Sequence, residues 1–576
     1  MALINLLNEL LNQAIVRYAI VMYIIWLILP LLSLTDRKNF RLTSINAART
    51  AVILLIMYVI SSVLIILVGF KIYFPYVNSI FLTLTTWLIL QSKNENKELP
   101  LMLLVLMLIL IPYTVVMIYD SYPLGDDVRF TVGFAAAIAH DGRWIPLKYN
   151  ENDYYQPFDA EPALTYMLLS TMGVPLKDIP IYYLLLKYSL FLIYVLSIYF
   201  ITYRLTNSKG TAQLALLLFS ITPPLSLTQI VAQGVSIVLA LLTLTAIINQ
   251  QLNNTNNIWV VILVFAVSGV IFHATYPLVI AAYLLPLLLI KGDAVIRLGR
   301  NRAGNYLAII MAISIAYWVF TFAGIAVFSG LPMSIVQFIN FLAGAFKPYA
   351  TAWQPWYGPG LNQYLVSWTL VPAIAASAIT YFIIKKMTRI GNLPENNNRY
   401  LVVLGLLGLL GIVLNFIARQ STWLGGRYFY WLYLLLLPLV SYFIIMTFRD
   451  RIISTLLVIA LIAILGFYGV QDPTHSANTF ITGIGWANNL SWKVSWVIAP
   501  LLSGNMPTIL DPRIGTPLFA INFILNKPPP PAPRTGYPAL IIIGNDNIGA
   551  RIYEPTNSTS VVISLNFYKA YITRLG

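Results

Sequence analysis

The chain has 576 residues, of which 59% are apolar and only 10% are charged, and its net charge is +15. Soluble proteins average about 45–50% apolar and roughly 25% charged residues, so this composition excludes a soluble enzyme. A transmembrane helix needs about 20 apolar residues, and the chain is long enough for many. The sequence therefore predicts an all-α polytopic membrane protein. No nucleic-acid partner is expected, because basic loops of membrane proteins face anionic lipid.

Fourteen apolar segments predict fourteen membrane-spanning helices. The first three form an additional N-terminal group within 1–99, and the other eleven belong to a core over 100–470. In chain order the predicted spans are 13–34, 50–70, 74–91, 100–119, 180–203, 211–229, 232–249, 258–275, 277–290, 305–328, 364–384, 400–418, 428–447 and 452–470.

Basic residues in the loops between these spans predict the orientation. The alternating loops that begin with 35–49 carry 18 Lys and Arg residues, against eight in the opposite and longer loops. Cytoplasmic loops are enriched in Lys and Arg, so the first set is expected inside the cell. Both termini, the segment 120–179 and the loop 329–363 are then expected on the extracytoplasmic face of the cell membrane.

The tail 471–576 is more polar and predicts a small external C-terminal domain. Its proline-rich segment 527–533 is expected to be stiff and extended. Beyond it, PALIIIG (538–544) and SVVISLNFY (560–568) are rich in β-branched residues and are bounded by turn formers. These two segments predict β-strands.

Acidic residues concentrate in one predicted external segment. Eight of the chain's 20 acidic residues lie in 120–163. Asp126 and Asp127 follow a span directly, where carboxylates are costly to hold unless they are partnered. The next residues, 128–142, predict an apolar helix that ends at a glycine and lies on the outer membrane surface, with both aspartates at its favourable N-terminus. An ordinary solvated loop is the structural alternative.

The order of motifs in this segment resembles that of the GT-C glycosyltransferases. The motifs are Gly125-Asp126-Asp127, Asp141-Gly-Arg-Trp144, Tyr154-Tyr155-Gln-Pro and Asp159-Ala-Glu161-Pro162. Members are multi-span enzymes that take sugars from polyprenyl-phosphate carriers on the outer membrane face. The eleven core spans are close to the number in protein O-mannosyltransferase-like members, whereas the three additional N-terminal helices depart from that pattern. The resemblance covers roughly 100–450.

The resemblance implies roles for the acidic residues. Asp127 is expected to be the general base, with Asp126 assisting it or binding a metal ion together with Glu161. Carboxylates suit hard ions such as Mg²⁺ or Mn²⁺, but some members need no metal, so metal use stays open. Asp159 and Tyr155 are expected to line the substrate cavity beside Glu161. No organic cofactor is expected.

Three basic residues are candidates for binding the donor phosphate. Arg427 follows Gly-Gly at the start of a span, where relatives place a phosphate-binding arginine, and Arg419 lies at the other end of the same short external loop. Arginine binds phosphate through paired hydrogen bonds. Lys347, in loop 329–363, is a weaker candidate. The alternative for the arginines is that they reach lipid headgroups at the membrane interface.

His273, at the outer end of a predicted span, is expected either to line the substrate cavity or to form structural hydrogen bonds.

The resemblance thus implies an inverting membrane glycosyltransferase that uses a lipid-linked sugar. Its expected partners are the bilayer, a polyprenyl-phosphate-linked sugar donor and a glycan, lipid or protein acceptor. The rival interpretations are a transporter or flippase for lipid-linked or small polar substrates, and a non-catalytic membrane subunit. A transporter is expected to carry ionisable groups near the middle of the bilayer, whereas nearly all those of this chain lie toward its predicted interfaces.

Overall fold

Among the residues that a computed structural model describes are fifteen α-helices, whose bounds are given below, and a four-stranded sheet. The described residues are 14–35, 44–68, 74–92, 99–119, 128–141, 160–220, 232–253, 258–289, 300–321, 361–387, 395–421, 429–449, 451, 455–463, 495–496, 499, 508–510, 525, 538–544, 560–564 and 568–574. The chain divides into two compact units. Unit 1 comprises 1–116, 190–227 and 233–475, and unit 2 comprises 117–189, 228–232 and 476–576.

Helices occur at every predicted span. In chain order they are α1 (Ala14–Thr35), α2 (Ser44–Val68), α3 (Phe74–Gln91), α4 (Leu99–Tyr119), α5 (Val128–Asp141), α6 (Ala160–Thr171), α7 (Ile179–Thr206), α8 (Lys209–Ser220), α9 (Ala232–Asn253), α10 (Ile258–Phe272), α11 (Thr275–Leu289), α12 (Arg300–Phe320), α13 (Leu361–Met387), α14 (Glu395–Ser421) and α15 (Phe429–Phe448). A short 3₁₀ turn, Leu176–Asp178, precedes α7. A helix over 455–463 occupies part of the last predicted span.

Five segments of the described helices are long and apolar enough to cross a membrane. They are Asn46–Val68, Tyr188–Thr206, Gln233–Gln250, Arg302–Phe320 and Trp431–Phe448. Six shorter helical segments are also apolar. The chain is therefore a helical membrane protein, whereas the number of spans stays a prediction.

Burial separates a central helix from peripheral ones. The apolar window of α15 is 94% buried, while those of α2 and α12 are only 22% buried. Large apolar side chains such as Ile53, Ile56 and Leu64 are more than half exposed along α2. A continuous exposed apolar face of this kind is stable against lipid rather than water.

Glycines let α14 approach the central helix closely. Gly405, Gly408 and Gly411 recur every third residue along α14. A Cβ added at each would lie 2.3–2.6 Å from a leucine Cδ2 atom of α15. Close backbone approach through small residues is a main source of helix association in membranes.

Helices α5 and α6 pack against each other within unit 2. Helix α5 confirms the helix predicted over 128–142, but its burial differs from that of a helix lying on the membrane surface. Such a helix leaves one face to water, whereas all described side chains from Val132 to Ile138 are buried. This stretch is therefore surrounded by protein.

The described strands of unit 2 form a sheet of order β1-β2-β4-β3. The strands are β1 (Thr508–Leu510), β2 (Pro538–Gly544), β3 (Ser560–Ser564) and β4 (Tyr568–Arg574). Strand β2 matches its predicted bounds. The segment 560–568, predicted as one strand, is instead divided between β3 and the start of β4, which pair antiparallel with an irregularity between Val561 and Ile563.

Candidate functional site

The acidic pair predicted to be catalytic immediately precedes a helix. Asp126 and Asp127 themselves lie outside the described residues, but α5 begins at Val128, the next residue in the chain. A helix N-terminus carries a partial positive charge that favours a carboxylate there. The helix thus begins at the residue where the sequence predicted it, directly after Asp127 in the chain.

The structure gives only backbone positions for two further predicted residues. Glu161 is the second residue of α6, and Arg419 lies in the last turn of α14. A cation near the C-terminus of a helix interacts favourably with its dipole. Arg427, Lys347, Asp159 and Tyr155 lie outside the described residues.

Thr165 lies one helical turn after Glu161 and was not predicted. Residues four apart share one face of a helix, and Thr165 is fully buried. Other threonines of the described helices donate to the carbonyl four residues earlier, as Thr86 does to Leu82. The hydroxyl of Thr165 has no hydrogen-bond partner. An unsatisfied buried hydroxyl is uncommon in a folded protein.

His273 is the predicted site residue whose side chain the structure describes. It lies in the tight turn between α10 and α11. The backbone N–H of Thr275 donates to Nδ1 of His273 at 3.2 Å, and the Thr275 hydroxyl lies 3.1 Å from the same nitrogen. The carbonyl of His273 accepts from the Tyr276 N–H at 3.3 Å. His273 therefore caps the N-terminus of α11 with its side chain.

A serine of a third helix connects to this turn. The hydroxyl of Ser236, on α9, lies 3.2 Å from the carbonyl oxygen of His273 and 3.4 Å from that of Gly269. The Thr275 hydroxyl in turn donates to Ser236 Oγ at 3.4 Å. Both Ser236 and Thr275 are fully buried. These hydrogen bonds join the ends of three apolar helices at one point.

Close packing of Tyr276 also stabilises this turn. The ring of Tyr276 lies over Gly269, where an added Cβ would be 2.1 Å from Cδ2 of the tyrosine. The Tyr276 hydroxyl is 2.7 Å from Oγ1 of Thr243, on α9. Tyr276 is fully buried. The turn is thus stabilised by the packing of the Tyr276 ring on Gly269 and by the hydrogen bonds that Thr243 and Ser236 make with it.

The hydrogen bonds determine the protonation form of the imidazole. A backbone N–H can only donate, so Nδ1 of His273 must accept and carries no proton in this arrangement. The neutral ring then has its proton on Nε2. The partners on Nδ1 and on the backbone of the turn are neutral groups. The arrangement can donate hydrogen bonds and hold a rigid turn, but it does not form a general base.

The side chains of Asp126 and Glu161 are not among the described ones, so the predicted Mg²⁺ or Mn²⁺ site stays a prediction. Within the described residues no group of three or more His, Asp or Glu side chains is arranged to hold a metal ion.

One described cavity lies among α7, α9, α11 and α14. It has a volume of about 10 Å³ and is lined by Ile201, Leu205, Leu244, Ile247, Ile248, Tyr283, Leu284 and Tyr400. The hydroxyls of Tyr283 and Tyr400 donate instead to the carbonyls of Leu434 and Tyr283. This volume is about that of one water molecule, so the cavity is too small for a sugar or a lipid headgroup.

Sequence reasoning identified His273 but missed the side chains that hold it. Ser236, Thr243 and Tyr276 are isolated polar groups within apolar helices, and no local motif marks them. A usable signal was Thr275, two residues after His273, where a backbone N–H can reach a capping side chain.

No protein-family model matches the sequence of this chain, and no curated protein matches it.

Proposed function

We propose that this chain is an inverting membrane glycosyltransferase that moves a sugar from a polyprenyl-phosphate carrier to an acceptor on the extracytoplasmic face. The observation that carries the proposal is the start of α5 at Val128. This start puts Asp126 and Asp127 directly before a helix, in the sequence order that resembles the GT-C enzymes. The apolar helices of unit 1 supply the membrane setting that a lipid-linked donor needs.

The proposed reaction is a single displacement at the anomeric carbon. Asp127 accepts the proton of the acceptor hydroxyl while the hydroxyl oxygen forms its bond to that carbon. The bond between the carbon and the phosphate oxygen breaks, and the polyprenyl phosphate leaves with the bonding electron pair. Attack from the opposite side inverts the configuration of the sugar.

Two features support Asp127 as the base. The N-terminus of α5 favours the ionised carboxylate, which is the form that accepts a proton. His273, the described histidine of the turn between α10 and α11, is held with its proton on Nε2 and so does not supply that function. Asp126 would assist Asp127 by orienting it.

The leaving phosphate is an anion and needs positive charge rather than an acid. Arg427 and Arg419 are proposed to provide this charge, because arginine remains protonated and pairs with phosphate oxygens through two N–H groups. Arg419 lies in the last turn of α14, and α15 begins two residues after Arg427. No step of this reaction passes through a metal ion.

The test compares aspartate variants of the purified protein. Release of polyprenyl phosphate from a panel of synthetic polyprenyl-phosphate sugars is measured in proteoliposomes. Asp127→Asn keeps the size of the side chain but cannot take the proton, so turnover should fall by about 10²–10⁴-fold. Asp153→Asn, in the same acidic segment, is the matched control and should cost little.

The outcomes separate the alternatives. Equal losses in both variants would indicate a general effect of charge. Full activity in Asp127→Asn with a loss in Asp126→Asn would move the base by one residue. If the polyprenyl-phosphate sugar crossed the membrane of the proteoliposomes without transfer of its sugar, the chain would be a flippase and the glycosyltransferase proposal would be wrong.

A further inference from the structure

An arginine of α7 lies over aromatic rings inside an apolar segment. Arg204 belongs to the last turn of α7 and to Tyr188–Thr206, one of the segments long and apolar enough to cross a membrane. Its Cζ lies 5.1 Å from the centre of the Phe200 ring and 5.5 Å from that of the Tyr203 ring. We propose that the guanidinium of Arg204 binds the phosphate of an anionic glycerophospholipid at this end of α7. This site does not depend on the proposed glycosyltransferase reaction.

The side chain of Arg204 is directed back along α7. Phe200 precedes Arg204 by four residues, which is about one helical turn. An arginine near the end of a span usually extends beyond the helix, so that its charge reaches the water interface. The guanidinium of Arg204 lies instead over a ring within the apolar segment. Its position therefore differs from that of an arginine that simply reaches for water.

The described part of the chain provides no anionic partner for this cation. Nε of Arg204 is buried without a hydrogen-bond partner, and no oxygen of a described residue accepts a hydrogen bond from the guanidinium. A charge that lies near hydrocarbon without a partner is costly, and the two ring faces offset only part of that cost. The arrangement therefore favours binding of an anion from outside the chain.

The face of α7 that carries Arg204 also carries exposed apolar side chains. Leu196 and Ile193 lie eight and eleven residues before Arg204, which puts all three on one side of the helix. Both are more than one third exposed. Ile201 and Leu205 are buried and line the cavity among α7, α9, α11 and α14. An acyl chain can lie along the exposed apolar side while its phosphate contacts Arg204, so a lipid fits this surface better than a free phosphate ion.

The turn after α7 adds a second positive charge. Helix α8 begins at Lys209, five residues after Arg204. The turn between them is short, because Asn207 has a φ of 50° and Ser208 Oγ accepts from the Thr211 N–H at 3.2 Å. Two basic residues at one helix end favour a headgroup of net negative charge over a zwitterionic one. The predicted orientation puts this turn inside the cell, where the membrane surface is anionic.

Arginine suits the phosphate of such a lipid. Its planar guanidinium can donate two parallel hydrogen bonds to phosphate oxygens, and it stacks on aromatic faces at the same time. Phe200 and Tyr203 hold the guanidinium of Arg204 from one side. They are therefore positioning residues, since they act on the lipid through the arginine.

The test measures the binding of defined lipids to the purified, delipidated full-length protein by native mass spectrometry. The probe is phosphatidylglycerol, and phosphatidylcholine is the zwitterionic comparison. Arg204→Gln removes the charge and should weaken phosphatidylglycerol binding about 10- to 100-fold, the effect of lost hydrogen bonds to a charged group. Arg302→Gln is the matched control, because Arg302 is an exposed arginine at the start of another apolar segment, Arg302–Phe320. Its affinity should stay unchanged.

Two further variants keep a positive charge at the site. Phe200→Leu retains an apolar side chain and the arginine but removes the ring, so binding should weaken about 2- to 5-fold. Arg204→Lys loses the planar pair of donors and should bind with an affinity between those of Arg204→Gln and the unsubstituted protein. The thermal midpoint of each variant in detergent shows whether it folds. If Arg204→Gln does not fold, Phe200→Leu decides, and unchanged affinity there would overturn the inference.

The other results also discriminate. Equal affinity of Arg204→Gln and the unsubstituted protein would refute the site, and an equal loss in Arg302→Gln would reduce it to a general effect of charge. Phosphatidylcholine bound as tightly as phosphatidylglycerol would refute the preference for an anionic lipid. Displacement of the lipid by an equal concentration of inorganic phosphate would show that a free ion suffices. These measurements involve no sugar transfer, so failure of this inference leaves the glycosyltransferase proposal to its own aspartate variants.

Discussion

Replacing Gly269 with alanine should destabilise the turn that carries His273. Gly269 lies inside α10, where alanine is ordinarily the better helix former by about 0.8–1.0 kcal/mol. Here the new methyl group would meet the ring of Tyr276, at 2.1 Å from Cδ2 and 2.4 Å from Cε2. An ordinary contact at this position begins at 3.4 Å, so the ring would have to move by about 1.3 Å.

The structure gives the size of this effect. Tyr276 is fully buried and its hydroxyl is 2.7 Å from Thr243, so movement of the ring strains the core and breaks that hydrogen bond. Overpacking costs about 1–3 kcal/mol, and the hydrogen bond contributes about 0.5–1.5 kcal/mol. After subtraction of the gain in helix propensity, the free energy of unfolding should fall by about 0.5–4 kcal/mol.

The assay is the midpoint of thermal unfolding in detergent, followed by tryptophan fluorescence. Gly304→Ala is the matched control, because Gly304 is also inside an apolar helix but an added Cβ there meets only Leu288, at 3.8 Å. Gly269→Ala should lower the midpoint, whereas Gly304→Ala should leave it unchanged or raise it. A midpoint for Gly269→Ala as high as that of Gly304→Ala would refute the fitted packing of Tyr276.

Three further predictions concern other parts of the chain. Gly408→Val should lower the thermal midpoint more than Gly210→Ala. A Cβ at 408 would already lie 2.6 Å from Leu436, whereas one at 210 would meet its nearest atom at 3.7 Å. Equal midpoints would contradict the close approach of α14 and α15. Arg427→Lys keeps the charge but loses the planar pair of donors, so donor affinity measured with purified protein should fall while the thermal midpoint stays; unchanged affinity would favour the headgroup alternative. Tags at either terminus should be open to protease in intact cells while a site inserted in 291–302 is protected, and the reverse result would invert the topology.

The helices could be predicted well because lipid imposes a simple rule on sequence. A span must satisfy its own backbone and present apolar side chains, so runs such as Leu99–Tyr119 are visible without any knowledge of their neighbours. The predicted surface helix at 128–142 was right as a helix, with α5 ending at Asp141 just before the glycine. Its burial from Val132 to Ile138 depends on what packs around it, which periodicity alone does not determine.

Predictions that depended on pairing were less accurate. The segment 560–568 was predicted as one strand because of its β-branched and aromatic residues, although β3 ends at Ser564 and Asn566, a residue type depleted in strands, follows it. Strand β4 was also missed, although it pairs with both β2 and β3. At the candidate site, the sequence identified His273 as an unusual residue but left open whether its role is structural. The structure shows a structural role for the imidazole, because its Nδ1 accepts a hydrogen bond from the N–H of Thr275.

Hydrogen bonds between distant segments agree with the predicted alternation of spans in unit 1. The Arg449 guanidinium donates to the carbonyl of Ser92, and both residues lie in or beside loops predicted to be cytoplasmic. Ser236 bonds to the carbonyl of His273, and both lie at helix ends predicted to be extracytoplasmic. A chain with one span too many or too few between these segments would put such partners at opposite ends of the bundle. These two hydrogen bonds agree with an even number of membrane crossings between the partners of each pair.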